Sequence, residues 1–178
     1  MEPLEPRDST NATKWPRLNL HAIRTEMRRD VGDEVERWVG HLLGRQLEAL
    51  FGSLIPCLAE ATRLAPAAQW RLIADSVAMA FLEVGQALDQ RETAQRKALE
   101  ILKRKPSPLY NKQLNFVNVA ASKGNTTSEK TFVSRGGCCR YYTAPEGSIC
   151  PSCVLEPPER QRERLTELLK VQIASSLL

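Results

Sequence analysis

Apolar residues along this chain recur first at helical and then at strand spacing. Val31, Val35, Trp38 and Leu42, then Leu47, Leu50, Leu54 and Leu58, fall mostly three and four residues apart, the period of one face of an α-helix. The spacing predicts helix over about residues 18–64, kinked or divided at Pro56 because proline removes a helical hydrogen bond. Pro66 stands where a second helix begins. Its stripe is Trp70, Ile73, Val77, Phe81, Val84 and Leu88, and it continues more weakly through Leu99 and Leu102 until Pro106 and Pro108.

After Pro108 the period changes to two. Leu114 and Phe116 flank Asn115, and Val117 and Val119 flank Asn118, with one slip of phase between Phe116 and Val117. Such a slip predicts either a bulged strand or one apolar on both faces. Residues 121–130 (ASKGNTTSEK) read as a turn and 131–133 as a second extended run, which together make a β-hairpin. From Pro157 the pattern is helical again, with Leu165, Leu168, Leu169 and Ile173 on one face. The fold class is mainly α with a small β-hairpin. In order come a polar, proline-bearing arm (1–17), a helical body (18–108), a hairpin and cysteine-rich loop (109–156) and a C-terminal helix (157–178), in one compact domain.

A content of 42% hydrophobic and 26% charged residues agrees with a globular chain. Aromatics make up only 6%, so the core leans on Leu, Val and Ala. The net charge of +4 permits an acidic partner or an anionic ligand and does not call for nucleic acid. Within 91–105, Arg91, Arg96, Lys97, Lys103, Arg104 and Lys105 face only Glu92 and Glu100. A solvated helical face is the plain reading of that run, and a docking surface the sharper one. Glu2, Glu5 and Asp8 stand where a secretory signal needs basic and apolar residues. The most apolar run, 76–88, is interrupted by Glu83 and is too short to span a bilayer. A cytoplasmic protein without stable membrane insertion is therefore expected. In that compartment clustered cysteines serve as metal ligands or redox groups more often than as disulfides.

Four of the five cysteines fall within RGGCCRYYTAPEGSICPSC, at Cys138, Cys139, Cys150 and Cys153. The fifth, Cys57, lies among Leu54, Ile55 and Leu58 and reads as a small core residue. Four thiolates satisfy tetrahedral zinc, and Cys150-Pro-Ser-Cys153 resembles half of a zinc ribbon, although the adjacent Cys138-Cys139 does not resemble the other half. Four thiolates equally satisfy a 2Fe–2S cluster, two per iron. Adjacent residues of an extended strand point apart, so Cys138 and Cys139 converge only where the backbone turns. Gly136-Gly137, immediately upstream, reads as the source of that freedom. The spacing leaves zinc and iron–sulfur both open.

The stretch SRGGCCRYYTAPEGSICPSCVL resembles the C-terminal segment of the FhuF family of ferric-siderophore reductases. That family's signature is a Cys-Cys pair, a nearby tyrosine, a Pro-Gly turn and then Cys-x2-Cys. Compared with the family, the chain is shortened on its N-terminal side and carries an added helical tail. The resemblance implies that Cys138, Cys139, Cys150 and Cys153 hold a 2Fe–2S cluster in segment 109–156. It further implies that the cluster passes one electron to a ferric siderophore and releases ferrous iron. No glycine-rich nucleotide fingerprint, P-loop or nucleophile elbow stands in the sequence, so the expected electron donor is a separate ferredoxin or flavoprotein. Arg135 and Arg140 flank the first cysteine pair, either as surface cations or to offset thiolate charge and attract an anionic chelate. Tyr141 and Tyr142 read as packing and loop-anchoring groups, with electron relay as the alternative, and with Arg135 and Arg140 they are the candidate substrate-binding residues. His21 and His41 sit in helical stretches far from the motif and read as structural. Two non-enzymatic alternatives are an interaction module stapled by zinc or a cluster, and an electron carrier or redox sensor.

Overall fold

The computed structural model describes residues 32–175, leaving the side chains of 33–36 aside. The predicted arm 1–17, the stretch 18–31 with His21, and residues 176–178 lie outside the described residues. Helices α1 (Asp33–Thr62), α2 (Pro66–Ala87) and α3 (Arg91–Leu102) come first. Strands β1 (Asn115–Lys123) and β2 (Thr126–Ser134), a 3-10 turn at Tyr141–Thr143 and helix α4 (Pro158–Ser175) follow. The described chain is thus mainly helical with one antiparallel hairpin, as the hydrophobic period predicts.

Helix α1 runs through Pro56 without dividing. Pro56 is exposed, and the lost donor would have served a single carbonyl one turn back. Its neighbour Cys57 is also exposed, so the helix turns it outward and it is not the core residue that its apolar neighbours suggest. Leu50, a member of the predicted stripe, is exposed as well.

The long stripe after Pro66 is two helices and not one. Asp89 takes a left-handed φ of 52°, and the Gln90 N–H returns to the Gly85 carbonyl at 2.7 Å. The chain then reverses into α3. A side chain at Gly85 would run into Ala94, so the glycine is what lets the two helices close. Because of this reversal Val84 and Leu88 are 58% and 67% exposed. The core between α2 and α3 is built from Ala74, Ala78 and Leu82 against Ala98, Ile101 and Leu102.

The basic run is only partly a solvated face. Arg96 and Lys97 pair with Glu100 on the surface of α3. Lys103 instead turns inward and donates to the carbonyls of Asn111, Lys112 and Leu114 at 2.8, 3.0 and 2.6 Å. Its burial pushes the ammonium pKa below the usual lysine value. Arg104 meets His41 and Glu48 of α1, which gives His41 the structural place expected of it.

The hairpin pairs without a bulge from Asn115↔Ser134 to Lys123↔Thr126. Its turn is therefore Gly124-Asn125 alone, with Gly124 at φ 60°, and most of 121–130 is strand where the sequence reads as turn. The slip of phase in β1 has its second meaning, a sheet apolar on both faces. Phe116 and Val133 join the α2–α3 core. Val117, Val119, Ala121 and Phe132 face Leu165, Leu169 and Ile173 of α4, the stripe predicted for that helix. Among the described residues no helix is long and apolar enough to cross a membrane.

Candidate metal centre

β2 ends at Ser134, and the chain then runs into Arg135, Gly136, Gly137 and the first cysteine pair. Helix α2 fixes this entry through one buried carboxylate. Asp75, 5% exposed, accepts the Gly136 and Gly137 N–H groups at 2.8 and 3.1 Å and Arg135 Nε at 3.3 Å. Burial pushes its pKa above the ordinary value, and the two backbone donors and the Arg135 charge work against that rise. A buried carboxylate without such donors would be costly.

The two glycines serve close approach. Neither takes a positive φ, contrary to the conformational freedom that the sequence suggests. A side chain at Gly136 would occupy the place of the Asn111 side chain, and one at Gly137 would come within 3.0 Å of the α2 backbone at Arg71 and Leu72. Asn111 Oδ1 accepts from the Gln113 and Leu114 N–H groups at 3.1 and 3.3 Å. That orientation turns its Nδ2 away, and Nδ2 is buried without a partner.

The turn that brings Cys138 and Cys139 around comes after them. Arg140 is left-handed at φ 60° and accepts from Thr143 at its own carbonyl. In this geometry the Arg140 N–H donates to Cys138 Sγ at 3.4 Å, and the Tyr141 N–H donates to the Cys139 thiol. At the other end of the motif the Cys153 N–H bonds the Cys150 carbonyl at 3.1 Å, and the Leu155 N–H donates to the Cys153 thiol. Three of the four sulfurs therefore receive an N–H from two residues further on. The fourth, Cys150, receives Arg135 Nη1 at 3.5 Å, and the same nitrogen lies 4.0 Å from Cys139 Sγ. Donors of this kind favour thiolate over thiol.

The sulfurs also meet across the loop. Cys139 lies close enough to Cys150, and Cys153 to Cys138, for each to bear on the other's ionisation. The Tyr141 N–H holds Cys139 below its ordinary thiol value, against a smaller effect of burial, with Arg135 and Cys150 helping. Burial pushes Cys153 up, as do the neighbouring Cys138 and Cys150. These meetings are pairwise. Among the described residues no group of three or more His, Cys, Asp or Glu side chains is placed to hold a metal ion. The thiols that would supply ligands to a metal here are Cys138, Cys139, Cys150 and Cys153.

Helix α4 secures the second half. Gln161 Nε2 donates to the carbonyls of Cys153 and Glu156 at 3.0 and 2.9 Å, and its Oε1 accepts from Ser134 Oγ at 2.9 Å. Arg164 Nη1 reaches the Ile149 carbonyl at 2.9 Å. Sequence reasoning missed Asp75, Gln161 and Arg164, yet two of them leave a mark. Asp75 is an acid inside an apolar run, and Gln161 stands first in the 161-165-169-173 stripe.

The other expected site residues divide. Arg135 is at the thiols, but its charge is shared with Asp75. Arg140 contributes its backbone, and the residue itself is exposed. Tyr141 and Tyr142 are 55% and 43% exposed, so they are not the packing groups the sequence suggests and remain open to a visiting molecule. Two grooves of about 850 and 840 Å³, one between the hairpin and α4 and one between α1 and α3, are not lined by these cysteines. In comparisons with known proteins, no family model, curated protein or solved structure matches this chain.

Proposed function

We propose that Cys138, Cys139, Cys150 and Cys153 hold a 2Fe–2S cluster and that the protein is a one-electron ferric-siderophore reductase. The observation that supports this most is the donor pattern: each of the four sulfurs receives an N–H, and the two pairs meet across the loop. Donors around thiolate ligands orient them and tune the metal they hold. Four thiolates match a 2Fe–2S group in number and kind, and the motif's resemblance to the FhuF signature favours iron–sulfur over zinc. When bound, a 2Fe–2S group supplies reversible one-electron transfer.

The chain's own residues set the conditions for that chemistry. Arg135 brings a cation to two thiolates, and Asp75 fixes its direction. Gln161 and Arg164 press α4 onto the second pair, where Cys153 is 3% exposed and shielded from water. Cys139 is exposed, next to Tyr141, and marks the side from which a chelate or donor protein approaches. The substrate needs no acid, base or nucleophile. Hard hydroxamate or catecholate oxygens hold ferric iron far better than ferrous iron, so one electron gained by the chelate is itself the release step. A ferredoxin or flavoprotein supplies that electron, and reduced thiols suit a cytoplasmic setting.

A structural staple is the second reading. It is favoured by the loop's double attachment, to α2 through Asp75 and to α4 through Gln161. Anaerobic purification followed by stopped-flow mixing of the reduced protein with ferric chelates separates the two. The reductase reading expects a red-brown protein whose reoxidation matches ferrous iron release. A colourless protein holding one zinc after iron–sulfur reconstitution would overturn it in favour of the staple.

A further inference from the structure

The two halves of the cysteine motif belong to different parts of the fold. Cys138 and Cys139 follow the hairpin and rest on α2, whereas Cys150 and Cys153 rest on α4. Besides the thiols themselves, Arg135 reaches both halves. Arg135 Nη1 lies 3.5 Å from Cys150 Sγ and 4.0 Å from Cys139 Sγ, and the Arg135 N–H also bonds the Ser152 carbonyl at 3.2 Å. A guanidinium is a rigid planar fork, so fixing one nitrogen fixes the aim of the others. Asp75 fixes Nε at 3.3 Å. Asp75 is itself held, because it sits buried on a helix and takes two further donors from the loop.

We infer that Asp75 and Arg135 are positioning residues that keep the two half-sites side by side before any metal arrives, Asp75 aiming the guanidinium and the guanidinium spanning from Cys139 to Cys150. This inference rests on the metal-centre reading above and adds to it where the assembly information lies. A four-thiolate site split across two elements would otherwise have to find its register during loading, at an entropic cost. The ion pair lowers that cost from within the protein. It also explains why the half-buried cation is paired with a carboxylate instead of being left as a free surface charge: its task is direction more than field.

The test is an anaerobic cobalt(II) titration of the full chain, read by the thiolate-to-cobalt absorption, with the melting temperature of the metal-free chain beside it. Arg135→Gln is expected to weaken cobalt binding about 10- to 100-fold, the usual effect of losing an outer-shell partner, and by more than any lowering of metal-free melting from the Asp75 carboxylate left without its cation accounts for. Asp75→Asn should weaken binding to a similar degree in the parent chain and add nothing further in the Arg135→Gln background. Arg135→Lys, which keeps the charge and loses the fork, should bind as weakly as Arg135→Gln. Unchanged affinity in Arg135→Gln overturns the inference, as does full affinity in Arg135→Lys. Equal weakening by Asp75→Asn in both backgrounds also overturns it, since Asp75 would then act through the Gly136 and Gly137 amides alone. If the parent chain takes up neither cobalt, zinc nor iron, the metal-centre reading falls and this inference with it. If the parent loads and the variants match it, only this inference falls.

Discussion

The two cysteine pairs make an instructive contrast. Cys139 of the first pair is exposed, followed by a left-handed residue and two exposed tyrosines. Cys153 of the second pair is 3% exposed, under a helix whose Gln161 satisfies its carbonyl. The first pair is shaped by local backbone turns and one clamp to α2, the second by burial against α4. The difference divides the work: the second pair gives the site its footing, and the first gives it access.

The sharpest way to break this division is to remove sulfurs one at a time. Serine at Cys138, Cys139, Cys150 or Cys153 should abolish or strongly weaken cluster loading, while Cys57→Ser leaves the absorption spectrum unchanged. Cys153→Ser alone should also destabilise the metal-free chain by about 1–3 kcal/mol, the cost of a buried hydroxyl with poor partners. Cys139→Ser should barely move metal-free melting, because that side chain is already in water. Equal destabilisation by both variants would erase the contrast.

Next in size is Gln161→Ala. It strands the carbonyls of Cys153 and Glu156 and the Ser134 hydroxyl, and a loss of about 1–3 kcal/mol in urea unfolding is expected. A loss within the scatter of ordinary surface substitutions, about 0.5 kcal/mol, would mean that α4 does not secure the second pair.

Alkylation of the metal-free protein sharpens the comparison kinetically. Cys139 should react first and Cys153 last, as followed by mass spectrometry of peptides. The thiolate reacts, and its fraction rises as pH rises through the pKa. Cys139, held below the ordinary thiol value, should therefore reach its full rate at lower pH, and Cys153, pushed up by burial, at higher pH. The reverse order would contradict the geometry of both halves.

The smallest effect concerns charge at the rim. Arg135 is paired with Asp75, so Arg140 is the arginine of the two whose field reaches an approaching anion. On the proposed reductase reading, Arg140→Ala should slow reduction of anionic ferric chelates more than of neutral ones and flatten the salt dependence. Screening over roughly 8 Å at physiological ionic strength makes such steering salt-sensitive. An unchanged salt slope would show that the cation plays no part in encounter.

Periodicity revealed the helices, the hairpin and α4, because burial imposes it directly on the sequence. It failed where a single residue redirects the chain. The reversal at Asp89 hides inside a continuous apolar stripe, and only Gly85 and the polar run Asp89-Gln90-Arg91 hint at it. The phase slip in β1 had two meanings, and the choice between them depended on what covers the second face, which is α4, some forty residues later. That four cysteines share one loop could be read from spacing. Their supports could not, because Asp75 lies sixty residues before the loop it holds and nothing local announces the pairing. Cys57 misled for the opposite reason: its sequence neighbours are apolar, but neighbours along a helix point in different directions.

The two-faced hairpin carries a consequence for how the molecule comes apart. Its strands are the common wall of two cores, one against α2 and α3 and one against α4. A wall shared in this way couples the rooms on either side. Peeling α4 away uncovers Val117, Val119 and Phe132, and a hairpin bare on one face is only marginally stable, so its other face loosens in turn. Amide protons of Val119 and Val133, on opposite faces of the wall, should therefore exchange through one opening event with one denaturant dependence, and α4 should behave as part of the same cooperative unit as the helices before the hairpin.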